Sequence, residues 1–455
     1  MNEKLPTEYK LYKRRWFIMA LFMMYTINGG AQWLQFSIIN NLVSKYYEGI
    51  TPTQIDWTAT CPMLAYILLI FPSLYLLDKV GVRNMMIIGA AGITVGTWIK
   101  VFSVHPDTFY LALTGHFCQA VFQVMTFSLS ARFTAIWFGA HEISTAGALG
   151  LFGDQLGSAL SCILPTIIVK DGSREEIGNG LQRMHWYFSG ISTVILLFMV
   201  LFFKSAPKSP PSAAQEKQRQ SKRENVYRAA KYILKKRSFL LIALSYGLCL
   251  GSFGAIVAHL NAPVLLNFPE REQNADAGSI GFVIMLSGMF SSLVFGKIID
   301  KTRKFKESAV LLTIGSTIAF TFFTWALRSG NIIYVYVAAF FIGSFAQSYY
   351  ATGFQMVIEV TFPVSEEISS AVLFLIVQVL SYTFTSLYGP AIRTFGDLPS
   401  NIALIATFST SVLCAIMVPS NLKRQQVEKS AQEKMIQGKE MTDLISNNKN
   451  SNEVV

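Results

Sequence analysis

Leu76-Leu77-Asp78-Lys79-Val80-Gly81-Val82-Arg83 is a short charged turn between two long apolar runs. It comes back 222 positions later as Gly296-Lys297-Ile298-Ile299-Asp300-Lys301-Thr302-Arg303-Lys304. Each copy follows the second apolar run of its half and precedes the third. Runs of roughly 20 apolar residues, the length that crosses the hydrocarbon core of a bilayer, surround both copies. The first half places them at 16–42, 57–77, 84–104, 108–130, 143–168 and 183–203, the second at 238–264, 277–299, 308–328, 331–360, 366–391 and 400–418. The expected fold is therefore an all-α membrane protein of about 12 transmembrane helices in two six-helix halves. That is the usual plan of a secondary transporter, which holds its substrate between the halves.

Composition agrees. Of 455 residues 52% are hydrophobic and only 14% charged, where a soluble domain carries about a quarter. Cys61, Cys118, Cys162, Cys249 and Cys414 are scattered through apolar runs without CxxC spacing, so neither a metal site nor a disulfide framework is expected. No Walker-type loop, HExxH or nucleophile constellation occurs, and neither an enzyme nor a cofactor is expected. The net charge of +11 is concentrated: between Lys204 and Arg237 eleven Lys and Arg stand against two Glu. A cytoplasmic linker explains this under the positive-inside rule, with anionic lipid as a further contact, and no nucleic-acid partner is implied.

The chain divides into a cytoplasmic N-terminal segment (1–15), a six-helix half (16–203), the basic linker (204–237), a second six-helix half (238–419) and a polar tail (420–455) expected to be disordered. Met1 opens a polar, Lys-rich stretch rather than a cleavable signal. Lys4, Lys10, Lys13, Arg14 and Arg15 precede the first span, and the even-numbered turns carry Lys79, Arg83, Arg132, Lys297, Lys301, Arg303, Lys304 and Lys306. The opposite turns are poorer in cations and partly acidic, so both termini are placed in the cytoplasm.

Polar groups inside spans are expensive in lipid and mark cavities or partner helices. The first span carries Gln32, Trp33 and Asn41, the fourth His116, Gln119 and Gln123, the fifth Asp154 and Gln155, the seventh His259 and Asn261, the tenth Gln347 and Tyr350, and the eleventh Gln378. A cavity of amides and aromatics suits a small cation or zwitterion rather than a polyanion. Asp154 is the one carboxylate deep within an expected span; it would counter a substrate cation or carry a proton, or else serve structure. Gln155 and Gln378 stand near the repeat offset and are expected to face each other across the pseudo-twofold axis. Trp33 is a platform for a cation or a packing residue, whereas His116 and His259 read as hydrogen-bonded core histidines. Gly147, Gly150, Gly153 and Gly157 form a small-residue stripe for close helix approach.

The paired turns resemble the loop motif of the major facilitator superfamily, in which an Asp pairs with nearby cations and latches two helices in one transport state. Asp78, Lys79, Gly81 and Arg83 carry the first copy and Asp300, Lys301 and Arg303 the second; the motif's leading Gly is Leu74 here, and its later Gly is Arg303. Two ordinary charged turns are the alternative reading. Longer stretches resemble one branch of that superfamily, the feline leukaemia virus subgroup C receptor-related transporters. These are Gln32-Trp33-Leu34-Gln35, Ile38-Ile39-Asn40-Asn41, Ile55-Asp56-Trp57, Trp137-Phe138-Gly139-Ala140-His141-Glu142, Phe152-Gly153-Asp154-Gln155-Leu156-Gly157, Pro207-Lys208-Ser209-Pro210-Pro211-Ser212 and Phe362-Pro363.

The resemblance implies the major facilitator fold and facilitative transport of choline or ethanolamine, with haem export also attributed to the family. It places Trp33, Asn41, Gln155, Asn261 and Gln378 in the substrate pocket, and Gln32, Gln123 and Asp154 are added from their positions. A quaternary ammonium donates no N–H bonds, so aromatic faces and amide dipoles must replace its hydration. The sequence departs from the family in three places. A Gly-Ala-Phe-Tyr stretch becomes Gly251-Ser252-Phe253-Gly254, an Asn becomes Asp154, and a Glu becomes Gln355. The cage loses a ring and gains a carboxylate, which favours a small amine cation in general over choline in particular. The alternatives are a haem or porphyrin exporter and a non-transporting receptor or sensor that retains the fold. A monomer in the plasma membrane is expected, with the endoplasmic reticulum or a mitochondrial membrane as other residences.

Overall fold

Gly81 explains the longest helix. In the computed structural model, which describes residues 12–139, 142–207, 226–269, 273–302, 304–361 and 364–419, one helical run extends over Pro52–Val101. Its single non-helical residue is Gly81, at φ 75° and ψ 169°. A side chain with a Cβ is disfavoured there, so the glycine of the charged turn is what lets two membrane rods, 52–80 and 82–101, double back on each other. Expected features at 1–11, 208–225 and 420–455 lie outside the described residues.

The helices are α1 Arg14–Gly30, α2 Asn40–Tyr46, α3 Pro52–Val101, α4 Phe109–Trp137, α5 Ile143–Ile168 and α6 Arg174–Phe202. They continue as α7 Val226–Leu234, α8 Arg237–Ala258, α9 Asn261–Asn267, α10 Gln273–Thr302, α11 Phe305–Arg328, α12 Ile332–Thr361, α13 Glu366–Phe395 and α14 Asp397–Met417. Among the described residues nine helices are long and apolar enough to span a membrane, α3 being one of them. Counting α3 as two rods and adding α1 with α2, and α4, gives the twelve of the sequence reading.

The repeat is visible in detail. The first rod of each half is broken: α1 stops at Gly30 and resumes as α2, and α8 stops at Ala258 and resumes as α9. The two short continuations are each seven residues long and start 221 positions apart. Both halves are joined by equivalent pairings, α5 on α10 and the first rod of α3 on α13. The termini-bearing end of the bundle is called the terminal end below, and the opposite one the far end. Large apolar side chains such as Leu68, Tyr75, Phe102, Leu201, Ile318 and Leu387 stand exposed on the outside, as lipid-facing surfaces require.

Backbone-to-backbone contact fixes α1 against α5. A Cβ on Gly30 would stand 2.5 Å from the Asp154 carbonyl oxygen and 3.0 Å from the Ser158 nitrogen, and one on Gly157 would overlap the Ile27 carbonyl. Gly153 and Gly157 of the stripe thus lie at the crossing, while Gly147 meets nothing within 4 Å. At the terminal end Arg15 holds Glu142 through two parallel hydrogen bonds of 2.9 and 2.8 Å, tying the start of α1 to the start of α5.

Candidate functional site

The α1–α5 crossing carries Asp154 to within reach of the first helix break, where Trp33 sits. Between the halves lies a cavity of about 170 Å³, walled by the break after α1 and by α3, α4 and α5 on one side and by α8, α10, α12 and α13 on the other. Six rings line it: Trp33, Tyr66, Phe127, Phe253, Tyr350 and Phe374. Four amides join them, Gln123, Gln155, Gln347 and Gln378, and among the described residues Asp154 is the only carboxylate of the lining, which holds no Lys, Arg or His. Asp154 makes no hydrogen bond or ion pair to a described residue. The lining therefore offers a carboxyl group with no partner among the described residues and a surface of π-faces and amide dipoles, a combination suited to a small organic cation.

The individual geometries are informative. Trp33 donates its indole N–H towards the Ala59 carbonyl at 3.4 Å, which ties the broken segment to α3. Gln155 and Gln347 exchange hydrogen bonds in both directions, 3.1 Å each way, across the two halves, and Gln347 also reaches the Met285 sulfur at 3.5 Å. Gln378 lines the same cavity with no hydrogen bond to a described residue. The facing amide of Gln155 is thus Gln347 on α12, not Gln378 on α13. Gly254 lines the cavity too, and a Cβ there would find only Ser381 Oγ at 3.9 Å and Met63 Cε at 4.0 Å, so the position has space.

Three residues expected in the pocket stand outside its lining. Gln32 is buried inside the first half, where its Oε1 accepts from Lys100 Nζ at 3.1 Å and from the Gln119 amide. Asn261 donates to the Ile38 carbonyl and Asn274 Oδ1, both at 2.9 Å, with Asn41 Oδ1 at 3.4 Å. Asn41 and Asn261 therefore meet each other at the far end and knit the two broken helices together. Beside them, Arg393 on α13 donates to Asp56 on α3 at 2.6 Å and to Thr53 at 3.0 Å. Asp56 also accepts from Asn40 at 3.0 Å, and His259, bonded through Nε2 to the Thr385 carbonyl at 2.9 Å, turns Nδ1 towards Asp56 at 3.5 Å. This part-buried lock ties α13 to α3 at the far end.

The loop motif forms a cluster at the terminal end. Arg132 on α4 donates to Asp78 at 2.6 Å, Lys79 lies 4.6 Å from the Tyr75 ring centroid, and Arg83 donates to the Val200 carbonyl at 3.1 Å. In the second copy Lys301 is exposed; the side chain of Asp300 and all of Arg303 lie outside the described residues. The sequence singled out Gln347 and Tyr350 as polar groups without assigning them to the pocket, and gave no sign of Tyr66, Phe127 or the Asp56–Arg393 pair. Gln347 and Tyr350 were visible as polar groups in an apolar run, but nothing local told which way they face.

Residues 21–386 match the family model described as Major Facilitator Superfamily. The "Choline/ethanolamine transporter flvcr2b" of Danio rerio is 34% identical over 428 residues, 93% of this chain and 88% of that protein. The "Choline/ethanolamine transporter FLVCR2" of Homo sapiens is 32% identical over 434 residues, 95% of this chain and 82% of that protein. Among solved structures, a bacterial homolog of the human lysosomal transporter Spinster superposes with a TM-score of 0.66 at 13% identity, covering 90% of this chain and 95% of that one, a likeness of fold. With its duplicated halves, broken first helices and central cavity, this multi-pass membrane chain belongs to the major facilitator superfamily, within the family of the feline leukaemia virus subgroup C receptor-related transporters.

Proposed function

We propose that the chain is a facilitative carrier of small organic ammonium ions, namely choline, ethanolamine or a related amine, working by alternating access. The observation that carries this reading is Asp154: an unpaired carboxylate in an aromatic cavity between two halves attracts a cation that can leave again. Relatives named as choline/ethanolamine transporters support the same class. The cavity of about 170 Å³ suits a small molecule. Haem is much larger, the cavity lining offers it no histidine among the described residues, and His259 is engaged in the far-end lock.

In this reading the six-helix halves 16–203 and 238–419 rock about the cavity, with the basic linker 204–237 as tether and the terminal end in the cytoplasm. Asp78 and Arg132 hold the terminal-end geometry of one state. The protein works as a monomer in the plasma membrane. Uptake of radiolabelled choline and ethanolamine by cells expressing the chain, alongside a haem efflux assay, tests the reading. Saturable amine uptake is expected; haem efflux without amine uptake, at normal surface expression, would overturn it.

A further inference from the structure

Behind the cavity wall, inside the first half, lies a second polar site that the transport reading leaves unused. Lys100 on α3 is fully enclosed (0% exposed), as are His116 on α4 (2%) and His185 on α6 (1%). The three surround one ring: the centroid of Phe36 is 5.8 Å from Lys100 Nζ, 5.9 Å from the His116 ring and 5.6 Å from the His185 ring. Lys100 makes no ion pair with any carboxylate of the described residues; its one hydrogen bond goes to Gln32 Oε1. Yet a sealed ammonium without counter-charge is strongly unfavourable.

The surroundings are polar and unsatisfied. Both ring nitrogens of His185 lack a partner, as do His116 Nδ1, Gln32 Nε2, Ser37 Oγ and Ser189 Oγ, with Gln35 Oε1 and Gln119 Oε1 beside them. These are eight of the fourteen orphaned buried side-chain atoms among the described residues, carried by the segment 32–37, α4 and α6. Buried polar groups are ordinarily satisfied, so their concentration near a fully enclosed lysine that has no carboxylate partner among the described residues points to a ligand.

We propose that Lys100, His185, Gln32, Ser37 and Ser189 form a binding site for a small monovalent inorganic anion, a halide such as chloride. The ammonium has N–H groups to spare, the Gln32 amide and one His185 nitrogen are donors, and both hydroxyls can turn to donate. A halide accepts from all of these and asks for no donor in return, and the close enclosure of Lys100, His116 and His185 favours a small ion. Trp33 follows Gln32 in the chain, so the anion holds the cavity wall from behind and fixes the break between α1 and α2. The site is independent of which amine is carried.

Thermal unfolding of the purified full-length protein in lipid nanodiscs tests this, with sodium chloride exchanged for sodium gluconate at constant ionic strength. The melting temperature is expected to rise saturably with chloride, and bromide is expected to substitute for it. Lys100→Met should abolish that rise while melting in gluconate no lower than the wild type does. Equal melting of the wild type in chloride and gluconate overturns the proposal and leaves a neutral amine at Lys100. So does a chloride increment that survives in Lys100→Met. If that variant does not fold, the wild-type halide titration and the position of bromide in an anomalous-scattering map decide the matter, a peak away from Lys100 counting against the site.

Discussion

Asp154→Asn separates ammonium ions that donate N–H bonds from those that cannot. The amide is isosteric and removes only the charge, at a residue that lines the cavity and pairs with no described side chain. A primary ammonium approaches a carboxylate oxygen to about 3 Å, whereas methyl groups hold a quaternary nitrogen at about 4.5 Å. With an effective dielectric of about 20, the attraction is about 5.5 kcal/mol in the first case and about 3.7 kcal/mol in the second. The stronger hydration of a primary ammonium offsets part of the difference, leaving about 1.4 kcal/mol, or about tenfold in relative affinity. Wild-type protein should therefore accept ethanolamine at least as well as choline, and Asp154→Asn should raise the apparent KM for ethanolamine about tenfold more than that for choline. Uptake of each labelled amine, with the other as competitor and surface expression as control, measures this. Equal changes in both KM values, or none, would refute the reasoning and make Asp154 a structural group.

Gly254→Tyr should restore a ring to a wall that has room for its Cβ and shift preference towards choline by about 0.5–2 kcal/mol, the range of a cation–π contact; an unchanged choline-to-ethanolamine ratio in well-expressed protein counts against it. Trp33→Ala should lower choline uptake by about tenfold or more while Trp33→Phe keeps part of it, and parallel loss of folded protein in both would assign Trp33 to packing. Asp78→Ala should slow uptake several-fold with equilibrium substrate binding unchanged, since its partner Arg132 lies at the terminal end, remote from the cavity; wild-type rates would remove the latch.

The twelve rods and their two halves were legible because a bilayer imposes a length and a hydropathy on every span, and because the charged turn repeats. The turn around Gly81 was legible for a similar reason, since a short charged stretch between two apolar runs is a local signal; the positive φ of the glycine came from the structure. Long-range pairing was not. Asp56 and Arg393 are 337 residues apart, and neither carries a mark that names the other. The amides show the same limit: Gln155, Gln347 and Gln378 are chemically alike, and only the rotation of α12 and α13 decides that Gln347 meets Gln155. Gln32 was expected at the substrate because it adjoins Trp33, but successive residues at a helix break point to different sides, and Gln32 faces Lys100 instead. Asn41 and Asn261 were correctly seen as polar groups within apolar runs, and the structure finds them at the far-end junction.

The far-end lock has an energetic consequence for a carrier that must run both ways. Opening that end parts the partly exposed Arg393 guanidinium from the buried Asp56 carboxylate, which then meets water. The lost attraction is offset by regained hydration, so the two states can lie close in free energy even though the barrier between them, where the ions are neither paired nor hydrated, is high. Such a lock controls how often the protein turns over, and leaves to the concentrations on either side the choice of which way the cargo goes.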